Sequence, residues 1–139
     1  MQDPKLEKQL VTGIGKIDGQ HLELFRRMEN LELALLSGKG ESELDQLVSY
    51  LENHVSEHFE DEEALMTRQN YPLQLLHRHV EQHNEFRKTF REFMKKYHER
   101  GADKYLAIDF DREIRKWWKN HILKLDLDYA AFIRKNQGP

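Results

Sequence analysis

Apolar side chains recur at helical spacing through most of this chain. Ile17, His21, Leu24, Met28, Leu31 and Leu35 fall on one stripe with a period of about 3.6 residues, and Gly38 and Gly40 end it. The pattern predicts a first helix capped by Asp18. A second helix runs from about Glu41 to Met66, with Leu44, Leu47, Leu51, Val55, His58, Glu62 and Leu65 on one face. Pro72 turns the chain into a third, since proline is tolerated in a first turn and poorly inside a helix. That helix carries Leu75, Leu76, His79, Val80, His83, Phe86, Phe90, Phe93 and Tyr97 inward, and Gly101 stops it. The fourth begins near Ala102 or Asp103, shows Leu106, Phe110, Ile114, Trp117, Trp118, His121 and Leu125 to the core, and breaks up in the KNQGP tail. Four such helices with short connections predict an all-α, up-down-up-down antiparallel four-helix bundle. The expectation is a single domain over residues 1–139, with a short arm at 1–12 and the bundle at about 13–130.

Composition narrows the function classes. The 139 residues are 38% hydrophobic and 34% charged, with a net charge of -3. Both signs are mixed along the chain, so nothing steers it towards nucleic acid. There is no cysteine, which removes disulfides, thiolate metal sites and thiol catalysis. No stretch approaches the roughly 18 apolar residues of a membrane span, and MQDPKLEKQLVTG lacks the apolar core of a secretory leader. The chain's own signals predict a cytoplasmic protein that does not act at a membrane.

Set into the apolar stripes are five histidines and two carboxylates: His21, His58, Glu62, His79, His83, His121 and Asp126. A lone histidine on such a face is often an ordinary core residue. Glu62 changes the reading of His58, one turn away, because a carboxylate on an apolar stripe is costly unless paired with a cation. Its neighbours Glu60, Asp61 and Glu63 turn outward or sideways as solvated surface, and Phe59 and Met66 pack around the site. In HRHVEQH, His77 with Glu81 continues towards the polar Asn84 and Lys88, while His79 with His83 continues towards Phe86, Phe90 and Phe93. The second register is the buried one, with His77 and Glu81 as the alternative. His121 and Asp126 stand five apart, about 140° around an undistorted helix, so both can bind only if the helix deforms or the ions sit at different heights. His54, one turn before His58, is a candidate outer donor to that ligand. Seven metal-capable side chains from four segments point to two ions. A donor set dominated by imidazole suits a transition metal such as iron better than magnesium or calcium.

These motifs resemble the hemerythrin family, its single-domain bacteriohemerythrins in particular. GIGKIDGQHLELF, HFEDEEALM, YP followed by HxxxHxxF, and WWKNHILKLDLDY are similar to the family's four helix signatures, in order, over residues 13–129. The resemblance implies a hemerythrin-like bundle holding two non-haem iron ions. His79, His83 and His121 would complete one, His21 and His58 the other, and Glu62 and Asp126 would bridge them together with an oxo or hydroxo group. Dioxygen would bind reversibly at the position left open on the second iron, in a pocket formed by Phe25, Phe59, Trp117 and Trp118. The implied role is storage, delivery or buffering of oxygen rather than catalysis, serving an oxygen-requiring enzyme or redox partner. The alternatives are an oxygen or redox sensor and a di-iron enzyme acting on peroxide or nitric oxide. Two departures stand out. The family's usual four residues after the proline of YP would select His77 and Glu81, and Trp118 occupies a position where leucine is common.

Overall fold

The structure is a computed structural model that describes residues 11–136. Residues 1–10 of the expected arm and 137–139 of the tail lie outside the described residues. Four long helices follow one another: α1 (Gly15–Leu36), α2 (Gly40–Arg68), α3 (Leu73–Arg100) and α4 (Lys104–His121). The last passes through a π-helical turn (Ile122–Asp126) into α5 (Leu127–Asn136). No strand occurs among the described residues. α1 packs on α2 and α4, and α3 packs on the same two, so the chain forms the all-α four-helix bundle that its periodicity predicts.

The helix ends follow local chemistry. Asp103 caps α4, its Oδ1 accepting from the Leu106 backbone N–H at 2.7 Å. Gly101 closes α3 at φ 72°, left-handed backbone that glycine adopts without strain, and its N–H reaches the Tyr97 carbonyl. Gly40 opens α2 where a Cβ would run into the Leu35 side chain. One cap differs from expectation. α1 starts at Gly15 with Ile14 before it, and Asp18 lies inside the first turns rather than at the cap. Its carboxylate reaches back to accept from the Thr12 and Gly13 N–H groups and the Thr12 hydroxyl, thereby tying down the strand-like lead into the helix.

The core has two layers. The larger joins Leu24, Met28 and Leu31 of α1 to Leu44, Leu51 and Phe59 of α2, Phe86 of α3, and Phe110, Ile114 and Trp118 of α4. A smaller one gathers Met66, Tyr71, Tyr129 and Ile133. α3 buries a narrow line, with only His79, His83 and Phe86 fully inside. Leu75, expected inward, is 43% exposed. It is adjacent to Leu76, about 100° around the helix, and Leu76 is the one that packs on the Tyr71–Tyr129 layer. None of the described helices is long and apolar enough to cross a membrane.

Candidate metal centre

Short connections make successive helices run in opposite directions, so the start of one comes level with the end of the last. His21 stands near the start of α1, His58 and Glu62 towards the end of α2, His79 and His83 near the start of α3, and His121 at the end of α4. All four contributions therefore meet at one end of the bundle, together with Asp126. The pairs His58–Glu62 and His79–His83 are spaced i,i+4 and share a face of their helix. His121 and Asp126 could not do so on a regular helix. The π-helical turn resolves this: the Leu127 N–H bonds to the Ile122 carbonyl, five residues back, and both side chains come to the same side.

The result is two overlapping groups of ligand atoms. Glu62, His79, His83, His121 and Asp126 form one, and His21, His58, Glu62 and Asp126 the other, with the atoms of each group within 4.8 Å of one another. The two carboxylates are common to both. His79 Nε2 and His121 Nε2 lie 2.8 and 3.1 Å from Asp126 Oδ1, and His21 Nε2 lies 3.2 Å from Asp126 Oδ2. Glu62 Oε1 faces His58 Nε2 at 3.2 Å and His83 Nε2 at 3.4 Å. All seven residues are buried, and Glu62, His83 and Asp126 are fully so.

Three of the imidazoles are held from behind. His58 Nδ1 meets Gln20 Oε1 at 2.6 Å, His83 Nδ1 meets Glu63 Oε2 at 2.7 Å, and His121 Nδ1 meets Gln82 Oε1 at 3.0 Å. Each acceptor keeps the proton on Nδ1 and leaves the Nε2 lone pair free on the inner side, which is how metal-binding histidines are oriented. Tyr129 donates its hydroxyl to Glu62 Oε2 at 2.7 Å. On the inner side the bonding is incomplete: Glu62 Oε1, His79 Nε2 and both oxygens of Asp126 are buried without a hydrogen-bond partner. Buried carboxylate oxygens facing converging lone pairs are costly unless a cation sits among them. The donor set therefore fits a pair of metal ions.

Without metal, the histidines themselves offset the two carboxylate charges. Burial and the Asp126 charge push the Glu62 carboxyl up, but His58 and His83 outweigh them and hold it down to about 2. Burial likewise raises Asp126, and His121, His21 and His79 bring it well below the usual carboxylate range. Both carboxyls are thus kept ionised. The His83 hydrogen bond lowers Glu63, while burial, with the Glu62 charge beside it, raises the Tyr129 phenol and keeps it a donor.

Some expected placements hold and others change. His77 and Glu81 are exposed, outside the cluster, so the buried stripe selects His79 and His83. His54 is exposed beside the Tyr50 ring, 4.7 Å between centroids, and Gln20 takes the place behind His58 expected of it. Glu63 is not simply solvated surface, since it turns sideways onto His83. Of the expected pocket residues, Trp118 lines a cavity of about 140 Å³ beside His21 and His58, with Gln20, Leu24, Tyr50, His54, Val55 and Glu57. Phe59 stacks on His83 at 3.9 Å and half-buried Trp117 on His121 at 4.6 Å. Phe25 belongs to the apolar core and does not line the cavity. Sequence reasoning missed Gln20, Glu63 and Gln82, although each is the chain neighbour of a ligand candidate. It also gave no role to Tyr129, three residues beyond Asp126.

A larger groove of about 550 Å³ lies at the turn between α1 and α2, along Asn30, Ala34, Ser37 and Glu41, and includes none of the cluster. Residues 12–133 match the family model described as the hemerythrin HHE cation binding domain. No curated protein matches the chain.

Proposed function

Because the chain belongs to the hemerythrin family, we propose that it is a bacteriohemerythrin whose buried cluster holds two iron ions and binds dioxygen reversibly for storage, delivery or local buffering. One observation carries the reading: imidazole Nε2 atoms converge on two shared buried carboxylates, three of whose four oxygens have no hydrogen-bond partner, with three of the rings fixed from behind. His79, His83 and His121 would hold one ion, His21 and His58 the other, and Glu62 and Asp126, common to both groups, would serve both. Two ferrous ions held there would supply the two electrons that reversible dioxygen binding needs.

The chain's own residues supply the rest. Two imidazoles against three leave the His21–His58 side with fewer ligands, and that is the side on which the 140 Å³ cavity lies. Phe59 and Trp118 pack on the cluster's histidines and Tyr129 packs on His79, so water has access only from the side of the cavity. Five imidazoles against two carboxylates would leave the site less anionic than a carboxylate-rich one, which favours the divalent state of the ions. Binding and release, rather than turnover, is the chemistry this arrangement supports. The reading includes a cytoplasmic setting and an oxygen-requiring enzyme or redox partner as the recipient.

The test is a metal count joined to anaerobic reduction and oxygen titration. Two irons per chain, with a visible charge-transfer band that appears with oxygen and fades on its removal through repeated cycles, is the expected result. Irreversible oxidation, or steady oxygen consumption, would overturn the carrier role and leave a sensor or an enzyme.

A further inference from the structure

Of the three imidazoles held from behind, His83 rests on a carboxylate, while His58 and His121 rest on amides. The difference matters for the proton. An ionised carboxylate can only accept a hydrogen bond, whereas an amide carries an acceptor oxygen and a donor nitrogen on two arms of nearly equal shape. Turned one way, the Gln20 amide accepts from His58 Nδ1–H and leaves Nε2 free for a metal. Turned the other way it points an N–H at Nδ1, and two donors then face each other unless the imidazole moves its proton to Nε2, the atom a metal needs. The His58–Gln20 pair by itself permits both.

Asp61 stands where the choice is made. Gln20 Nε2 donates to Asp61 Oδ2 at 2.9 Å, while Gln20 Oε1 accepts from His58 Nδ1 at 2.6 Å. Lys16, one turn before Gln20 on the same face of α1, places its Nζ 3.3 Å from the same Asp61 oxygen and holds the carboxylate from the solvent side. Gln20 and Asp61 are half-buried, and each is the chain neighbour of a ligand candidate, His21 and Glu62. They meet where α1 packs on α2. The contacts form one line from an exposed lysine to a buried imidazole. Lysine can only donate and the carboxylate can only accept, so the line has a single workable sense.

We propose that Asp61 is a positioning residue for the metal centre: by accepting from the Gln20 amide N–H it fixes the Gln20 carbonyl on His58 Nδ1, and with it the tautomer that offers Nε2 to the ion of the His21–His58 side. It acts through Gln20 and not on His58 directly. The inference rests on the two-ion reading above, in which His58 is a ligand. Glu63 needs no such residue behind it, since a carboxylate presents an acceptor whichever way it turns.

The test reverses the residue that chooses. Asp61→Lys replaces an acceptor with a donor and turns the Gln20 carbonyl away from His58, whereas Gln20→Glu puts beside His58 a group that accepts in either orientation. Ferrous ion is titrated anaerobically into the metal-free full chain, and the exchangeable, hyperfine-shifted imidazole N–H resonances of the loaded protein are followed by proton NMR. Asp61→Lys should bind one of its two ions about 10- to 100-fold less tightly than wild type, the range for partners of metal-binding side chains. The His58 N–H resonance should be lost or displaced, and those of His83 and His121 kept. Asp61→Asn, which retains an acceptor oxygen, should stay within about threefold of wild type. In the Gln20→Glu background, Asp61→Lys should change neither affinity nor resonance. An equal loss of affinity in both backgrounds would mean that the substitution acts through charge alone and would overturn the proposal, as would an unchanged His58 resonance in Asp61→Lys; either result leaves the two-ion reading intact. Wild-type protein that binds no ferrous ion would overturn both.

Discussion

Tyr129→Phe removes one oxygen from the centre of the molecule and little else. The ring that remains still packs 5.3 Å from His79 and 6.4 Å from Tyr71, so no cavity larger than a hydroxyl is created. What disappears is the donor to Glu62 Oε2 at 2.7 Å. Glu62 is fully buried, and its other oxygen already lacks a hydrogen-bond partner. A hydrogen bond to a charged group contributes about 1.5–3 kcal/mol, and complete burial puts this one in the upper part of that range. For a chain of 139 residues each kcal/mol moves the melting temperature by about 3 °C, so metal-free Tyr129→Phe should melt about 6–9 °C below wild type. Urea unfolding of the metal-free wild type, Tyr129→Phe, Glu62→Gln and the double variant gives the pairwise coupling. That coupling should be about 1 kcal/mol, because a neutral acceptor retains roughly half of the bond. Metal affinity should fall about 10- to 100-fold, as for other partners of metal-binding side chains. A Tyr129→Phe stability within about 0.5 kcal/mol of wild type, with no coupling to Glu62, would refute the view that the phenol holds this carboxylate in place.

Three further outcomes are expected. His77→Ala should keep two metal ions per chain and His79→Ala should lose at least one, by metal analysis after dialysis; the reverse result would restore the His77–Glu81 register. Glu62, Asp126 and Glu63 have folded pKa values below their unfolded ones, so their contribution is complete above the unfolded carboxylate range near about 4 and is lost as pH falls towards the folded values, about 2 for Glu62. The urea midpoint of metal-free protein should therefore drop between about pH 5 and about pH 3, and a midpoint that rises on acidification would contradict the pairing. Asp103→Ala removes the α4 cap bond to Leu106 and should cost about 0.5–2 kcal/mol, read by thermal melting with metal content unchanged.

Much of this protein is written in local pattern. The period of apolar positions determined the four helices, and glycine and proline marked their ends at Gly38, Pro72 and Gly101, because these effects act within a few residues. The same periodicity separated His79 and His83 from His77 and Glu81, since a ligand for a buried ion must lie on the stripe that packs. Asp18 and Leu75 went the other way. A carboxylate near a helix start can cap it or reach back, and of two adjacent leucines only one can face the core; neighbouring segments decide both.

Only the tertiary structure decided how His121 and Asp126 work together. Spacing alone put them on different sides of a helix, and the π-helical turn at Ile122–Asp126 brings them together within the packed bundle. It also decided that Gln20, Glu63 and Gln82 stand behind three of the histidines, that Tyr129 meets Glu62, and that Trp118 rather than Phe25 faces the cavity. Gln20, Glu63 and Gln82 lie on the flanks of their stripes and Tyr129 beyond the last of them, where periodicity is mute. Their roles come from hydrogen bonds across as many as 67 residues of chain, and such pairings depend on how the helices are rotated against one another, a quantity that packing sets and local pattern does not contain.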